Sequence, residues 1–555
     1  MDTDFTLQPH PKFKGRPGPL LVVVMDGVGI GRHDEGNAVW CARTPTLDAI
    51  HRKYLHTQLQ AHGVAVGLPS DEDMGNSEVG HNALGAGRVF DQGSKLVSAA
   101  IRSGRLFEGK VWRELVDTVD RKRSALHLIG LLSDGNVHSH IDQLLALIER
   151  AADEGVQRLF VHALLDGRDV PEQSALQYVD QLEALLARHD GRDGRVYKIA
   201  SGGGRMFVTM DRYQADWRIV ERGWRTHVRG EGRRFGSARE AIETYRREKP
   251  GIIDQDLPPF VVGDERGPLT RIEDGHGVIF FNFRGDRAIE ITRAFEEERF
   301  DKFERGPRPD VVYAGMMQYD GDLQVPKKFL VDPPDIDRTF GEFLARNRIP
   351  QLAIAETQKF GHVTYFWNGN RTGMFDPQYE KYIEVPSDRV PFETAPRMKA
   401  EEIADQLIDE LRGQRFRFLR VNFANGDMVG HTGVREAAIT AVEAVDEALG
   451  RILPVVEQLG GIALVSADHG NADEMYEWDK KAKAFKINKA TGRPAAKTAH
   501  TLNPVTFVVV DPQFKGEYRL AELKFRGLSN VAATALALMG YQAPAGFDPP
   551  LIEFA

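Results

Sequence analysis

The run Leu20-Leu21-Val22-Val23-Val24-Met25, which stops at Asp26-Gly27, decides how the chain is read. Six apolar residues in a row, without polar alternation, suit a parallel strand buried on both faces. The figure recurs. Residues 124–132 end at Ser133-Asp134-Gly135-Asn136-Val137-His138-Ser139-His140, residues 158–165 at Asp166-Gly167-Arg168-Asp169, and residues 195–200 at Ser201-Gly202-Gly203-Gly204-Arg205. Residues 278–283 end at Arg284-Gly285-Asp286-Arg287, 418–423 at Asn425-Gly426-Asp427, and 462–466 at Asp468-His469-Gly470. Between them, residues 141–152, 175–187, 400–411 and 437–459 carry apolar side chains at helical three- and four-residue spacing. Strands alternating with helices predict an α/β protein of open, mainly parallel sheets flanked by helices, with ligands gathered at the carboxyl ends of the strands. The charged motifs stand at those ends.

At 555 residues the chain is too long for one core, so at least two domains are expected. The joints predicted are 92–95 and the proline-bearing 325–337 (Pro326, Pro333, Pro334), which suit semi-rigid hinges. The expected domains are then 1–92 joined with 334–555, and an inserted 93–333. A net charge of −9 argues against general affinity for nucleic acid or a membrane surface. No apolar stretch approaches the ~18 residues that span a bilayer. Residues 1–20, polar and proline-dotted, read as a loose arm with no apolar signal core. The single cysteine, Cys41, forbids an internal disulfide, reads as a small buried apolar residue, and fits a reducing compartment, so a cytoplasmic protein is expected. Residues 480–497 read as a charged surface insertion.

Gly75-Asn76-Ser77-Glu78-Val79-Gly80-His81 reads as a serine presented in a glycine-bracketed turn, where a large substrate can approach. It lacks an adjacent base, since no Ser-His-Asp order is evident and the G-x-S-x-G elbow is absent. If Ser77 is a nucleophile, another group must take its proton. Asp427 and His431, four apart, fall on one side of a helical turn, although the intervening glycines also allow a loop. Asp468-His469 and Asp26 close strands. His500 is the least telling of the set, as a capping or core histidine reads equally well. Carboxylates and imidazoles without thiolates suit a divalent ion such as manganese or zinc. His138, Arg168, Asp169, Arg205, Arg212, Arg284 and Arg287 from the middle of the chain, with Lys359 from its second half, suit a small, multiply charged anion, because arginine's planar fork grips carboxylate and phosphate bidentately.

Met25-Asp26-Gly27, Met74-Gly75-Asn76-Ser77-Glu78-Val79-Gly80-His81-Asn82, Asn425-Gly426-Asp427-Met428-Val429-Gly430-His431 and Ala467-Asp468-His469-Gly470-Asn471 closely resemble the cofactor-independent phosphoglycerate mutases of the alkaline-phosphatase superfamily. Gly202-Gly203-Gly204-Arg205-Met206 and Trp367-Asn368-Gly369-Asn370 are similar to the long form found in plants, some protozoa and some bacteria. The resemblance covers nearly the whole chain from about Leu20. It implies an alkaline-phosphatase-like core with an inserted transferase domain, and two divalent ions, manganese first, with magnesium, cobalt or zinc also tolerated by such ligands. One ion falls to Asp427, His431 and His500, the other to Asp26, Ser77, Asp468 and His469. The metals supply the missing activation of the Ser77 hydroxyl.

The implied reaction interconverts 3-phosphoglycerate and 2-phosphoglycerate through a phosphoserine at Ser77, without 2,3-bisphosphoglycerate, as a step of glycolysis and gluconeogenesis. His138, Arg168, Asp169, Arg205, Arg212, Arg284, Arg287 and Lys359 then hold the substrate. Asp169 acts as acid and base on its hydroxyls, and Lys359 reaches the phosphoryl group beside Ser77. Water must be kept from the phosphoserine, which gives the two hinges a purpose. A monomer is the implied state. Two departures stand out: the run from Arg205 to Asp211 is a residue longer than in the short bacterial form, which loosens the pairing of Arg212, and Gln358 stands where many members have glutamate. A pentose phosphomutase, a plain metal-dependent phosphatase and a metabolite-sensing binding protein are the rivals. The first should lack this arginine set. The second would release phosphate, and the third would not turn over.

Overall fold

The computed structural model describes residues 5–554 apart from 69–70, 212–215, 320–323, 333, 335, 480–481 and 489–490. Arg212, Pro333 and Asp335 therefore lie outside the described residues. The chain divides into two compact units, residues 1–92 with 335–555, and residues 93–334.

The first unit is built on a seven-stranded sheet in the order Glu380–Val385, Gln351–Glu356, Phe418–Phe423, Leu20–Met25, Ile462–Ser466, Val505–Val510, Leu55–Leu59. Leu20–Met25 lies at its centre, parallel to both neighbours, and all six of its residues are buried. That double-sided burial is why the run shows no polar alternation. The five strands from Glu380–Val385 to Ile462–Ser466 are parallel, and only Val505–Val510 is reversed. The long helix Arg435–Gln458 covers the sheet with a stripe including Val445, Leu449, Ile452 and Val456. Residues 5–19 are no loose arm. Leu7 and Phe13 are buried in this core, and the Asn347 amide clasps the arm through Leu7 N and Phe5 O. Their few apolar residues suffice because each fully buried one contributes roughly 1.5–3 kcal/mol. Cys41 is half-buried, not a core residue, because it ends the short surface helix Ala38–Cys41 and its Sγ meets Arg435 Nη2 at 3.3 Å. Within 480–497 the described residues include Ala484–Phe485, which pairs antiparallel with Trp478–Asp479.

The second unit holds a longer sheet, in the order Phe329–Val331, Val312–Met317, Gly277–Phe280, Leu126–Leu132, Arg158–Leu165, Val196–Gly204, Phe260–Asp264, Arg233–Phe235. It is parallel except at the Val196–Gly204 and Phe260–Asp264 pair and at the short Gly267–Pro268 strand beside the latter. Helix Ile141–Asp153 starts at His140, whose ring accepts the Asp142 N–H, and buries Ile141, Leu144, Leu147, Ile148, Ala151 and Ala152. Leu144→Ala there would cost roughly 2–5 kcal/mol.

Candidate active site

Ser77 is the first residue of helix Ser77–Ala86, not part of an open turn. Asn76 caps it, its side-chain oxygen accepting the Glu78 and Val79 N–H groups at 3.0 and 3.1 Å. The glycines serve the protein's own packing. A Cβ on Gly80 would stand 2.9 Å from both Cβ and O of Asp468, so the helix can lie against that strand end only without a side chain. Gly27 is needed twice over: its φ is +76°, and a Cβ there would meet the Asp427 backbone N at 2.5 Å.

Every other member of this cluster leaves one edge of the seven-stranded sheet. Asp26 follows Leu20–Met25, Asp468 and His469 follow Ile462–Ser466, and Asp427 lies on the short helix Asn425–Gly430 after Phe418–Phe423, with His431 as its C-cap. Lys359 rides on helix Thr357–Gly361 after Gln351–Glu356. His500 precedes the reversed strand Val505–Val510, whose start shares the edge where the parallel strands end. Ser77 Oγ lies 3.1 Å from Asp26 Oδ1 and 3.0 Å from His469 Nε2, and it takes a very short contact from Lys359 Nζ. The Lys359 ammonium also donates to Asp26 Oδ1 at 2.8 Å and Asp427 Oδ2 at 2.7 Å. All of these side chains are buried.

The donor set fits divalent cations. His431 Nδ1–H donates to Thr498 O at 2.6 Å and His500 Nδ1–H to Gly75 O at 2.7 Å, so on both neutral rings the lone pair is at Nε2. Those two Nε2 atoms stand 3.0 Å apart, and Asp427 Oδ1 lies 3.0 and 3.1 Å from them. Three lone pairs aimed at one point repel unless a cation lies among them. Asp26, Asp468 and His469 form a second such group, with one ligand atom from each within 4.8 Å of the others. Three buried carboxylates face one ammonium, an imbalance that the interior does not tolerate uncompensated. The titration of the site carries the same sign. Burial opposes ionisation of Asp427, yet the Lys359 ammonium holds it well below the usual carboxylate range. Burial likewise opposes charging of His469, but Asp468, with Asp26 and Asp427, lifts it to about 9.

Asn422, Asn471 and His81 hold these ligands in place. Asn422 Nδ2 donates to Asp26 Oδ2 at 2.7 Å, Asn471 Nδ2 to Asp427 Oδ1 at 3.2 Å, and His81 Nδ1 lies 3.3 Å from Asp468 Oδ2. A signal for Asn422 was present: an amide inside a wholly buried strand needs a partner of its own.

The second unit gathers the opposite charge at the corresponding edge of its own sheet. Asp166, Arg168 and Asp169 follow Arg158–Leu165, Arg205 follows Val196–Gly204, His138 follows Leu126–Leu132, and Arg284 and Arg287 follow Gly277–Phe280. Arg205 Nη1 donates to Asp166 Oδ1 at 2.8 Å and, more closely, to Asp169. Asp166, absent from the sequence reading of the site, organises the turn. It accepts the Arg168 and Asp169 N–H groups and the Ser133 hydroxyl. Arg284 Nε lies 3.0 Å from Asp286, and Arg287 Nη1 donates to Met210 O at 2.7 Å. His138 sits among these groups, held well below its ordinary pKa by burial and then by Arg205, Arg284, Arg287 and Arg168. Neutral His138 and a crowd of guanidinium groups make an anion-holding surface.

Residues 18–543 match the family model of the Metalloenzyme superfamily. The chain is 54% identical over 546 residues to a probable 2,3-bisphosphoglycerate-independent phosphoglycerate mutase of Leptospira interrogans, covering 98% of each. It is 52% identical to the mutase of that name from Trypanosoma brucei brucei (97% of each chain) and 47% identical to that of Ricinus communis (99% and 98%). The chain belongs to the cofactor-independent phosphoglycerate mutases. A crystal structure of Leishmania mexicana phosphoglycerate mutase, obtained at low cobalt concentration, superposes with a TM-score of 0.96 at 51% identity, over 99% of this chain and 100% of that one. The α/β architecture is thus that of the family, and the chain is an isomerase that moves a phosphoryl group within phosphoglycerate.

Proposed function

We propose that the chain interconverts 3-phosphoglycerate and 2-phosphoglycerate through a phosphoserine at Ser77, on a site that holds two divalent ions. The observation that carries this reading is the Ser77 hydroxyl, buried on a helix N-terminus within reach of Asp26, His469 and Lys359. Asp427, His431 and His500 would hold one ion and Asp26, Ser77, Asp468 and His469 the other, with manganese the first choice for this donor set. When bound, such ions lower the pKa of the serine hydroxyl and offset charge on the phosphoryl oxygens.

Ser77 Oγ attacks phosphorus, and the bond from phosphorus to the substrate oxygen breaks. The departing glycerate oxygen takes a proton from Asp169, and Asp169 later recovers one from the other glycerate hydroxyl as that oxygen takes the phosphoryl group back. Lys359, reaching Ser77 Oγ itself, holds the incoming phosphoryl oxygens. His138, Arg168, Arg205, Arg284 and Arg287 keep glycerate from leaving between transfers, and Arg212 is assigned to the same task by resemblance. Residues 1–92 with 334–555 would be the metal-binding phosphatase-like domain, and 93–333 the transferase domain. A cytoplasmic monomer acting on this small metabolite, with no nucleic-acid or membrane partner, completes the reading. Among the described residues no helix is long and apolar enough to cross a membrane.

The test is to quench the turning-over enzyme with phosphorus-labelled substrate and map the label. A phosphopeptide containing Ser77 is expected. Label on a histidine, or turnover by Ser77→Ala, overturns the covalent route.

A further inference from the structure

Four histidines of the second unit form a continuous buried chain that the reaction above does not use. Thr209 Oγ1 lies 3.0 Å from His227 Nε2, His227 Nδ1 2.8 Å from Ser201 Oγ, and Ser201 Oγ 2.6 Å from His162 Nδ1. His162 Nε2 then lies 3.0 Å from His127 Nδ1, and His127 Nε2 2.9 Å from His276 Nδ1. One backbone amide sets the direction of the whole run. The Glu273 N–H, which can only donate, points at His276 Nδ1 at 3.3 Å, so that nitrogen is an acceptor. His127 must therefore donate from Nε2, His162 from Nε2, Ser201 from its hydroxyl, His227 from Nδ1, and Thr209 from its hydroxyl. Every ring is neutral, in keeping with burial, which lowers the pKa of all four and leaves His227 at about 3.

The run ends with a proton on His276 Nε2. His276 is 8% exposed, and it lines a cleft of about 840 Å³ whose rim carries Arg158, Lys198, Arg266 and Arg271 against Asp264 and Glu273. Lys198 already pairs with Asp190 at 2.6 Å, which leaves three arginines against two carboxylates, a net excess of one positive charge. A histidine N–H locked as a donor, in a lining that also carries guanidinium forks, selects an anionic acceptor. The volume exceeds what a bare oxyanion fills and falls within the range of small-molecule sites, roughly 300–1,000 Å³.

At its other end the run holds Thr209, a β-branched residue at φ +70°, where only a constraint keeps such a side chain. The next residue, Met210, gives its carbonyl to Arg287. A ligand that accepts the His276 proton polarises each bond of the chain in turn, down to the one that secures Thr209. We propose that the cleft is a second anion site, for a phosphate-bearing small molecule, and that the histidine chain reports its occupancy to the Thr209 loop and Arg287. Its consequence for turnover rests on the reading of Arg287 as a substrate residue; the site itself does not.

The test is a titration of the full-length, metal-loaded protein, labelled with ¹⁵N at histidine, with inorganic phosphate. The His276 Nε2 signal should shift, with those of His127, His162 and His227 following. In the double variant Arg266→Gln, Arg271→Gln, both positions exposed, the phosphate affinity read at His276 should fall about tenfold or more. In Ser201→Ala the shift should still reach His162 but no longer His227. A His276 signal that phosphate leaves unmoved, or moves equally in the double variant, overturns the site. A His227 shift that survives Ser201→Ala overturns the chain as the route. Should Ser201→Ala not fold, the His227 shift must vanish with that of His276 in the double variant. Ring signals need no turnover, so a failed mutase reading would leave this result intact.

Discussion

The two units place functional groups by one rule and with opposite charge. In the first, the ends of parallel strands deliver Asp26, Asp427, Asp468, His431 and His469, and the start of the reversed strand brings His500, around a single ammonium. In the second, equivalent strand ends deliver Arg168, Arg205, Arg284 and Arg287 around Asp166, Asp169 and Asp286. Excess buried carboxylate is a demand for cations, and excess guanidinium is a demand for an anion. On the proposed reading the difference separates two tasks, activation of a hydroxyl in one unit and retention of a charged metabolite in the other.

Ser77→Ala should break the comparison most sharply. Mutase activity should fall by at least ~10⁴-fold, since the proposed nucleophile is gone, while phosphoglycerate binding measured by calorimetry stays intact. Loss of binding in that variant would show the tasks are not separate. Arg287→Lys, which gives up the planar fork that reaches Met210 O, should act mainly through KM, by roughly 10–100-fold. An effect confined to kcat would place Arg287 in the chemistry instead.

Metal removal sharpens the contrast in stability. A chelator should lower the unfolding temperature of the first unit and leave the second unmoved, because only the first loses the cations that offset its carboxylates. At a metal concentration 100 times Kd the difference is about 2.7 kcal/mol for each ion bound, read by calorimetry with and without chelator.

The smallest effect concerns Glu356, the residue before the Lys359 helix. Burial lifts its pKa to about 7, against the acceptor bonds it makes with Ser387 and Lys399. A carboxyl with a raised folded pKa holds its proton more tightly in the folded state, so its contribution is complete below about pH 4.5 and is lost as pH rises through about 7. Glu356→Gln should remove that slope, worth at most about 3 kcal/mol in denaturant titrations across the window. An unchanged slope would assign the pH dependence to other groups.

Much of this was legible in the chain itself. Residues 20–25, 418–423 and 462–466 read as strands because burial on both faces leaves an unbroken apolar run, and the helices read from their apolar stripes. The Ser77 segment misled because its glycines resemble a turn, whereas Gly80 is there to let the helix touch Asp468. The arm before Leu20 misled because Leu7 and Phe13 are isolated in sequence and join a core built mostly from residues hundreds of positions away. Asp166 was hidden by its neighbours: a carboxylate that accepts backbone N–H groups looks in sequence like any other turn aspartate.

By itself the sequence determined the alternation of strands and helices, and with it which residues would stand at strand ends, because periodicity and punctuation are local properties. Its motifs, set beside known relatives, also determined the family. Only the tertiary structure decided that Lys359 reaches Ser77, that Gly75 O and Thr498 O orient His500 and His431, and that four scattered histidines join in one directed chain. Those contacts depend on carbonyls and ring nitrogens brought within 3 Å across long stretches of chain. No local pattern of side chains carries that information.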